Sequence, residues 1–168
     1  EIRRRQGGDG PTGAAAHPLS AAARGQAQLT QVFFYHGASD RIAAACALLT
    51  GAYAKKKPML VYALEAEVAS SLDRMLWTHS ALSFVPHCRA DSPLAAETPI
   101  LITDKLDTIA QDERLMNLSQ EIPPGFSRFE SLIEVVGLDE DDRSAARDRV
   151  KFYKDRGYEV RYFDLGNR

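Results

Sequence analysis

Residues 32–63 read VFFYHGASDRIAAACALLTGAYAKKKPMLVYA, and this stretch decides the fold class. Four consecutive β-forming residues at 32–35 predict a buried strand, because polar and glycine residues flank them. The alanine-rich segment that follows predicts a helix with Ser39 as its N-cap, ended by three lysines and a proline. Residues 59–63 then predict a second buried strand. A strand, a helix and a strand in this order are typical of an open α/β sheet.

The rest of the chain repeats this alternation of short apolar runs and helical patterns. Further helices are predicted at 65–77 and 140–156, and extended segments or strands at 83–87, 100–103, 115–118, 132–136 and 159–163. We therefore predict one α/β domain over residues 29–168, with three layers and a mixed, mostly parallel sheet.

The composition is that of an ordinary globular protein. The chain has 168 residues, 45% of them hydrophobic, and a formal net charge of −2. This near-neutral charge argues against general nucleic-acid binding, for which a strongly basic surface is typical. Cys46 and Cys88 form no disulfide or zinc pattern, and no apolar run reaches the ~20 residues of a membrane span. We expect a cytoplasmic protein that does not bind a membrane.

Residues 1–28 differ in composition from the remainder. They are rich in glycine, alanine and arginine, and Ile2 and Leu19 are their only aliphatic side chains larger than alanine. Such a segment buries too little apolar surface to offset the entropy lost on ordering. We expect a disordered N-terminal extension.

Catalytic patterns are weak in this sequence. The turn at residues 36–41, HGASDR, has one glycine where a dinucleotide fingerprint needs three, and it lacks the Gly-Lys-Ser/Thr of a P-loop. The four histidines show no metal-ligand spacing, and Asp73 and Asp104 have no recognisable acid–base partner. We predict no catalytic residue, metal or cofactor. A small nucleotide-binding α/β enzyme remains the alternative, based on the strand, turn and helix alone.

The predicted helix at 140–156 carries the strongest charge pattern. Four cations fall within about 80° of one another on a helical wheel: Arg143, Arg147, Lys151 and Lys154. Val150 borders this basic stripe, and the opposite arc, predicted to pack on the sheet, holds Ala145, Ala146, Phe152 and Tyr153. Like charges at i, i+4 repel, so an acidic partner would stabilise the stripe. The alternative is a solvated helix face that is basic without a partner.

Two motifs carry a family resemblance. Residues 72–77 read LDRMLW and residues 83–87 read SFVPH, followed by EVV at 134–136 and then by the basic helix. In this order and spacing they resemble the chi subunit of bacterial DNA polymerase III, over residues 30–165. The resemblance implies a non-enzymatic, Rossmann-like accessory subunit that reaches DNA only indirectly.

The resemblance also implies two protein partners. The first is the acidic C-terminal tail of single-stranded-DNA-binding protein (SSB), which ends in a hydrophobic residue with a free carboxylate. Arg143, Arg147 and Lys151 stand at the family's tail-binding positions, so we assign the tail site to the stripe with Val150 and Lys154. Val150 departs from the tyrosine of the best-known family member.

The second implied partner is the psi subunit of the clamp loader. The resemblance places psi against Phe84, with Val85, Pro86 and Trp77 completing the surface. The alternative for Trp77 and Phe84 is simple core packing, since both lie beside apolar residues.

Overall fold

The computed structural model of the chain describes residues 29–82 and 84–166. The strands are β1 Gln31–Ala38, β2 Met59–Tyr62, β3 His87–Arg89, β4 Ile100–Thr103, β5 Arg114–Asn117, β6 Ser131–Gly137 and β7 Val160–Asp164. The α-helices are α1 Arg41–Ala54, α2 Ala66–Thr78 and α3 Glu140–Asp155, with single 3₁₀ turns at Ala95–Glu97 and Phe126–Arg128. The predicted extension at residues 1–28 lies outside the described residues.

The seven strands form one sheet in the order β3-β4-β2-β5-β6-β1-β7. Every strand pairing among the described residues is parallel. The prediction of a parallel component is confirmed, whereas the predicted mixed character is wrong, because no antiparallel pair occurs in the described part of the sheet. In a parallel sheet, each connection must return the chain to the end of the sheet at which the strands begin. Where no α-helix lies between two strands, loops and 3₁₀ turns make this connection.

Side chains alternate between the two faces of the sheet. On one face Val61, Met116 and Val135 pack against α1 and α2. On the other, Leu60, Leu115 and Leu132 pack with Tyr153 of α3 and with the Phe126–Arg128 turn. Both faces are therefore covered, which explains the uninterrupted apolar strands. The predicted α/β class and its three layers are confirmed.

Helix α1 begins later than the sequence indicated. Its N-cap is Asp40, whose carboxylate accepts a hydrogen bond from the Ala43 N–H at 3.0 Å, and the predicted cap at Ser39 is wrong. Serine and aspartate cap helices equally well, so the local pattern could not separate them. The length of β1 decides between them, because the strand continues to Ala38 through Gly37 at φ +77°.

The predicted extended segment at 83–87 is mostly outside the sheet. Of its described residues, 84–87, only His87 belongs to β3, which pairs with β4 from His87 to Arg89. Proline has no N–H to donate to a strand neighbour, so Pro86 stands just before the paired residues. Because β3 begins only at His87, Phe84 lies in an irregular segment before this edge strand.

Candidate partner-binding surfaces

Helix α3 is anchored to the sheet by a buried ion pair. Arg149 Nη2 lies 3.1 Å from Glu134 Oε2 of β6, and both side chains are inaccessible to solvent. Tyr153 donates a 2.6 Å hydrogen bond to Glu134 Oε1, and Asn117 Nδ2 donates another at 3.0 Å. Burial, and then the Glu134 carboxylate, raise the pKa of Tyr153. Both carboxylate oxygens of Glu134 are thus partnered, and two side chains of α3 are held to β6.

Asp142 adds a second polar anchor in the first turn of α3. Its Oδ2 accepts the Gly137 N–H at 2.9 Å, and its Oδ1 accepts Gln120 Nε2 at 2.6 Å. Ala146 and Tyr153 are buried as predicted, and Asp142 and Arg149, which the prediction did not include, are buried with them. The signal that could have predicted this is Glu134, an acid within the apolar run of β6.

A groove runs between α3 and the strands β1, β6 and β7, with a volume of about 750 Å³. All five residues predicted for the tail site line it: Arg143, Arg147, Val150, Lys151 and Lys154. Its remaining apolar lining includes Phe34, Val136, Ala146 and Tyr162. We call this the basic groove. Cations therefore border an apolar floor, an arrangement that fits an apolar group bearing a carboxylate.

The cations of the basic groove differ in their partners. Arg147 donates from Nη1 and Nη2 to Glu140 Oε1 at 3.1 Å, and Arg143 Nη1 lies 3.6 Å from Glu140 Oε2. Lys151 and Lys154 make no ion pair within the described part of the chain, and Lys154 Nζ lies 5.1 Å from the centre of the Tyr162 ring. Both arginines of the groove are thus paired with Glu140, which lies outside the lining, and the acid that lines the groove itself is Asp155.

Tyr162 is a residue of the groove that sequence reasoning missed. It lies beside Phe34 in the pairing of β7 with β1, and the two rings meet edge to face at 5.7 Å. The Tyr162 side chain is 48% exposed, whereas Val150 is half-buried against Phe34 and Val136. Tyr162 thus supplies an aromatic wall to a groove whose helix side carries the smaller Val150.

A second surface lies near the opposite edge of the sheet, beside β3. Trp77 is 60% exposed and Phe84 50% exposed, with their ring centroids 4.8 Å apart. Leu82, two residues before Phe84 in the chain, is 99% exposed. We call these three residues the aromatic ridge. Core packing as the role of Trp77 and Phe84 is therefore wrong. Of the two other residues predicted there, Val85 is buried and Pro86 is half-buried, so neither is as exposed as Trp77 and Phe84.

His87 supports the aromatic ridge from below. Its ring is buried 5.4 Å from the Trp77 ring, and its Nδ1 donates to the Val85 carbonyl at 2.7 Å. Its Nε2 lies 3.2 Å from Asp73 Oδ1. Asp73, considered above as an acid–base candidate, thus adjoins the ring that supports Trp77 and Phe84.

The turn considered for nucleotide binding has a structural role. Asp40 occupies the amino end of α1, where its negative charge would repel a phosphate. His36 and Gly37 of the same turn line the basic groove instead.

Among residues 29–82 and 84–166, no cluster of three metal-ligating side chains occurs, and none of the helices there is long and apolar enough to cross a membrane. The other acid–base candidate, Asp104, lines a polar cavity of about 340 Å³.

The two surfaces lie near opposite edges of the sheet. The aromatic ridge adjoins β3 and the basic groove adjoins β7, the two edge strands of the seven. Six spacings of about 4.8 Å put roughly 29 Å between those edges. This is roughly the diameter of a small domain, so two macromolecules can contact the protein at once.

Comparison with known proteins identifies the family. Residues 29–161 match the family described as "DNA polymerase III chi subunit, HolC". The "DNA polymerase III subunit chi" of Pseudomonas aeruginosa is 29% identical over 134 residues, covering 77% of this chain and 93% of the relative. The protein of the same name from Haemophilus influenzae is 29% identical over 124 residues, covering 73% of this chain and 85% of the relative. The resemblance seen in the sequence is confirmed, and the chain belongs to the DNA polymerase III chi subunit family.

Proposed function

We propose that the protein is a non-catalytic accessory subunit of the replicative DNA polymerase, which links the clamp loader to SSB. It acts in the cytoplasm without a cofactor and reaches DNA only through its partners. The observation that carries the proposal is the basic groove, in which four cations border one apolar floor. The family membership supplies the setting in DNA replication.

The chemistry of the basic groove fits the SSB tail. The terminal hydrophobic side chain of the tail needs an apolar floor, which Phe34, Val136 and Ala146 provide. The terminal carboxylate and the acidic residues before it need cations, and guanidinium groups bind carboxylates in bidentate fashion. Arg147 holds the Glu140 carboxylate through two donors in the free protein, and the tail carboxylate would replace Glu140 on this guanidinium group.

The test is a titration with an acidic peptide that ends in a hydrophobic residue with a free carboxylate. Arg147→Ala should weaken binding by about 2 kcal/mol, since arginines at the centre of interfaces are frequent hot spots. Affinity should also fall as salt concentration rises. Lys57→Ala, at an exposed lysine outside the groove, should bind as the unaltered protein does. Equal affinities of the two variants, with the fold intact, would contradict the site.

The aromatic ridge supports the second half of the proposal, the contact with psi. Exposed tryptophan and phenylalanine side chains in contact with each other are typical of interface cores. Phe84→Ala should weaken psi binding at least tenfold, because aromatic anchors dominate such interfaces. Tyr53→Ala, at an aromatic residue that is exposed elsewhere, is the matched control. If calorimetry finds that Phe84→Ala binds psi with unchanged affinity, psi does not bind at this surface.

A further inference from the structure

A separate cavity of about 560 Å³ adjoins the aromatic ridge. Helix α2 contributes one wall and β3 the other, and the residues lining it include Ser70, Asp73, Arg74, Trp77 and Arg89. Residues spaced by three or four share a helix face, so Arg74 and Trp77 stand side by side on α2. The cavity is therefore continuous with the ridge through Trp77. We call it the arginine groove.

The arginine groove carries a net positive charge, because two arginines and one aspartate line it. Arg74 and Arg89 are exposed, and neither makes an ion pair with another of the described residues. The one acid in the lining, Asp73, lies against His87 Nε2 at 3.2 Å. Two guanidinium groups thus face the groove beside an exposed indole ring. Arginine beside tryptophan is the composition most enriched at binding hot spots.

We propose that the arginine groove binds an acidic segment of the partner that the aromatic ridge holds, the psi subunit. This inference rests on the proposed function and adds the chemistry of the contact. An apolar residue of psi packs on Trp77 and Phe84, and a neighbouring aspartate or glutamate reaches Arg74 and Arg89. Charge complementarity selects a carboxylate, which an arginine fork binds through two parallel hydrogen bonds.

The proposal is tested by reversing the charge of the groove. The psi affinity of the full chain carrying Arg74→Glu and Arg89→Glu is measured by calorimetry at low and at moderate salt. We expect at least about tenfold weaker binding at low salt. The salt dependence should also reverse, so that affinity rises with salt, because like charges then face each other and salt screens their repulsion. A pair of reversed lysines, Lys55→Glu and Lys57→Glu, makes the same change in net charge at another exposed site and should leave psi binding within about twofold.

A further set of variants separates this inference from the proposed function. If Phe84→Ala abolishes psi binding while charge reversal leaves affinity and salt dependence unchanged, the arginine groove is overturned and the ridge stands. If neither change affects binding, both assignments fail. Arg74→Gln with Arg89→Gln keeps most of each side chain and should cause a smaller loss, and its thermal melt by circular dichroism checks the fold. Replacing acidic residues of psi by lysine should restore binding to the reversed variant, and failure of every such replacement would count against the contact.

Discussion

Arg147 is bound to a carboxylate in the free protein. Glu140 lies two turns before it on α3 and receives both of its donors, while also lying near Arg143. All three side chains are more than half exposed, so this pairing contributes little to folding stability. The pairing should instead lower the affinity for an acidic ligand, because an incoming carboxylate must displace Glu140 from the arginines.

We therefore predict that Glu140→Gln strengthens binding of the acidic tail peptide by about two- to fivefold, the range that an exposed ion pair supports. Titration calorimetry measures the change. Asp141→Asn removes an equal charge from the same turn at an exposed acid that pairs with no groove cation, and it should have a smaller effect. Equal gains in both variants would mean that net charge, and not displacement of Glu140, controls affinity.

At the scale of the element, α3 combines two sets of basic residues with opposite roles. Arg143 and Arg147 face solvent, whereas Arg149 is buried against Glu134. Removal of one partner of a buried ion pair leaves the other charge without compensation. The helix that presents the basic groove therefore depends on a residue that never touches the groove.

Arg149→Met should lower the free energy of unfolding by about 3–5 kcal/mol, since it leaves the Glu134 carboxylate buried and unpaired. Arg143→Met, on the same helix but with only an exposed partner, should change it by less than about 1 kcal/mol. Urea unfolding followed by circular dichroism compares the two. A loss in Arg149→Met no larger than that in Arg143→Met would show that the buried pair does not hold α3.

Tyr153 makes the anchoring of α3 sensitive to alkaline pH. The folded protein raises the pKa of Tyr153 above its ordinary value of about 10, chiefly by burial and then through Glu134. The stability that the protonated hydroxyl of Tyr153 contributes is complete below the pKa that this group has in the unfolded chain. It is lost as pH rises toward the pKa of the group in the folded protein. The unfolding free energy should fall above about pH 10, by up to about 1.4 kcal/mol per pH unit from this group. In Tyr153→Phe, the unfolding free energy should decrease less steeply with pH. An identical slope in the variant and the unaltered protein would contradict this role of Tyr153.

For the whole molecule, the distance between the two surfaces determines how the partners combine. The ridge and the groove adjoin opposite edge strands of the same rigid sheet, and different helices carry them. Changes at well-separated sites usually have additive effects on free energy. Each partner should therefore bind without altering the affinity of the other.

We predict that the tail peptide binds the preformed complex with psi as tightly as it binds the free protein. Titration of the peptide into both samples measures this, with the difference expected within about twofold. In the same assay, Arg147→Ala should weaken only peptide binding and Phe84→Ala only psi binding. Competition between peptide and psi would show that the two surfaces overlap.

Much of the fold and part of the site could be predicted from local pattern. The apolar runs and the helical periodicity indicated an α/β sheet, and the spacing of Arg143, Arg147, Lys151 and Lys154 placed them on one helix face. Both results follow from the period of a strand or a helix, which is a property of neighbouring residues. The LDRMLW and SFVPH motifs likewise indicated the family from the sequence alone.

Only the tertiary structure decided which charges are buried and what completes each surface. Arg149 differs from its basic neighbours because Glu134 faces it across the layer between sheet and helix. Tyr162 enters the groove because β7 pairs with β1, and Arg89 joins Arg74 because β3 packs against α2. These contacts join residues that are distant in the chain, so no local period contains them. The sequence by itself determined the elements and the basic face, and long-range packing determined the groove, the ridge and the distance between them.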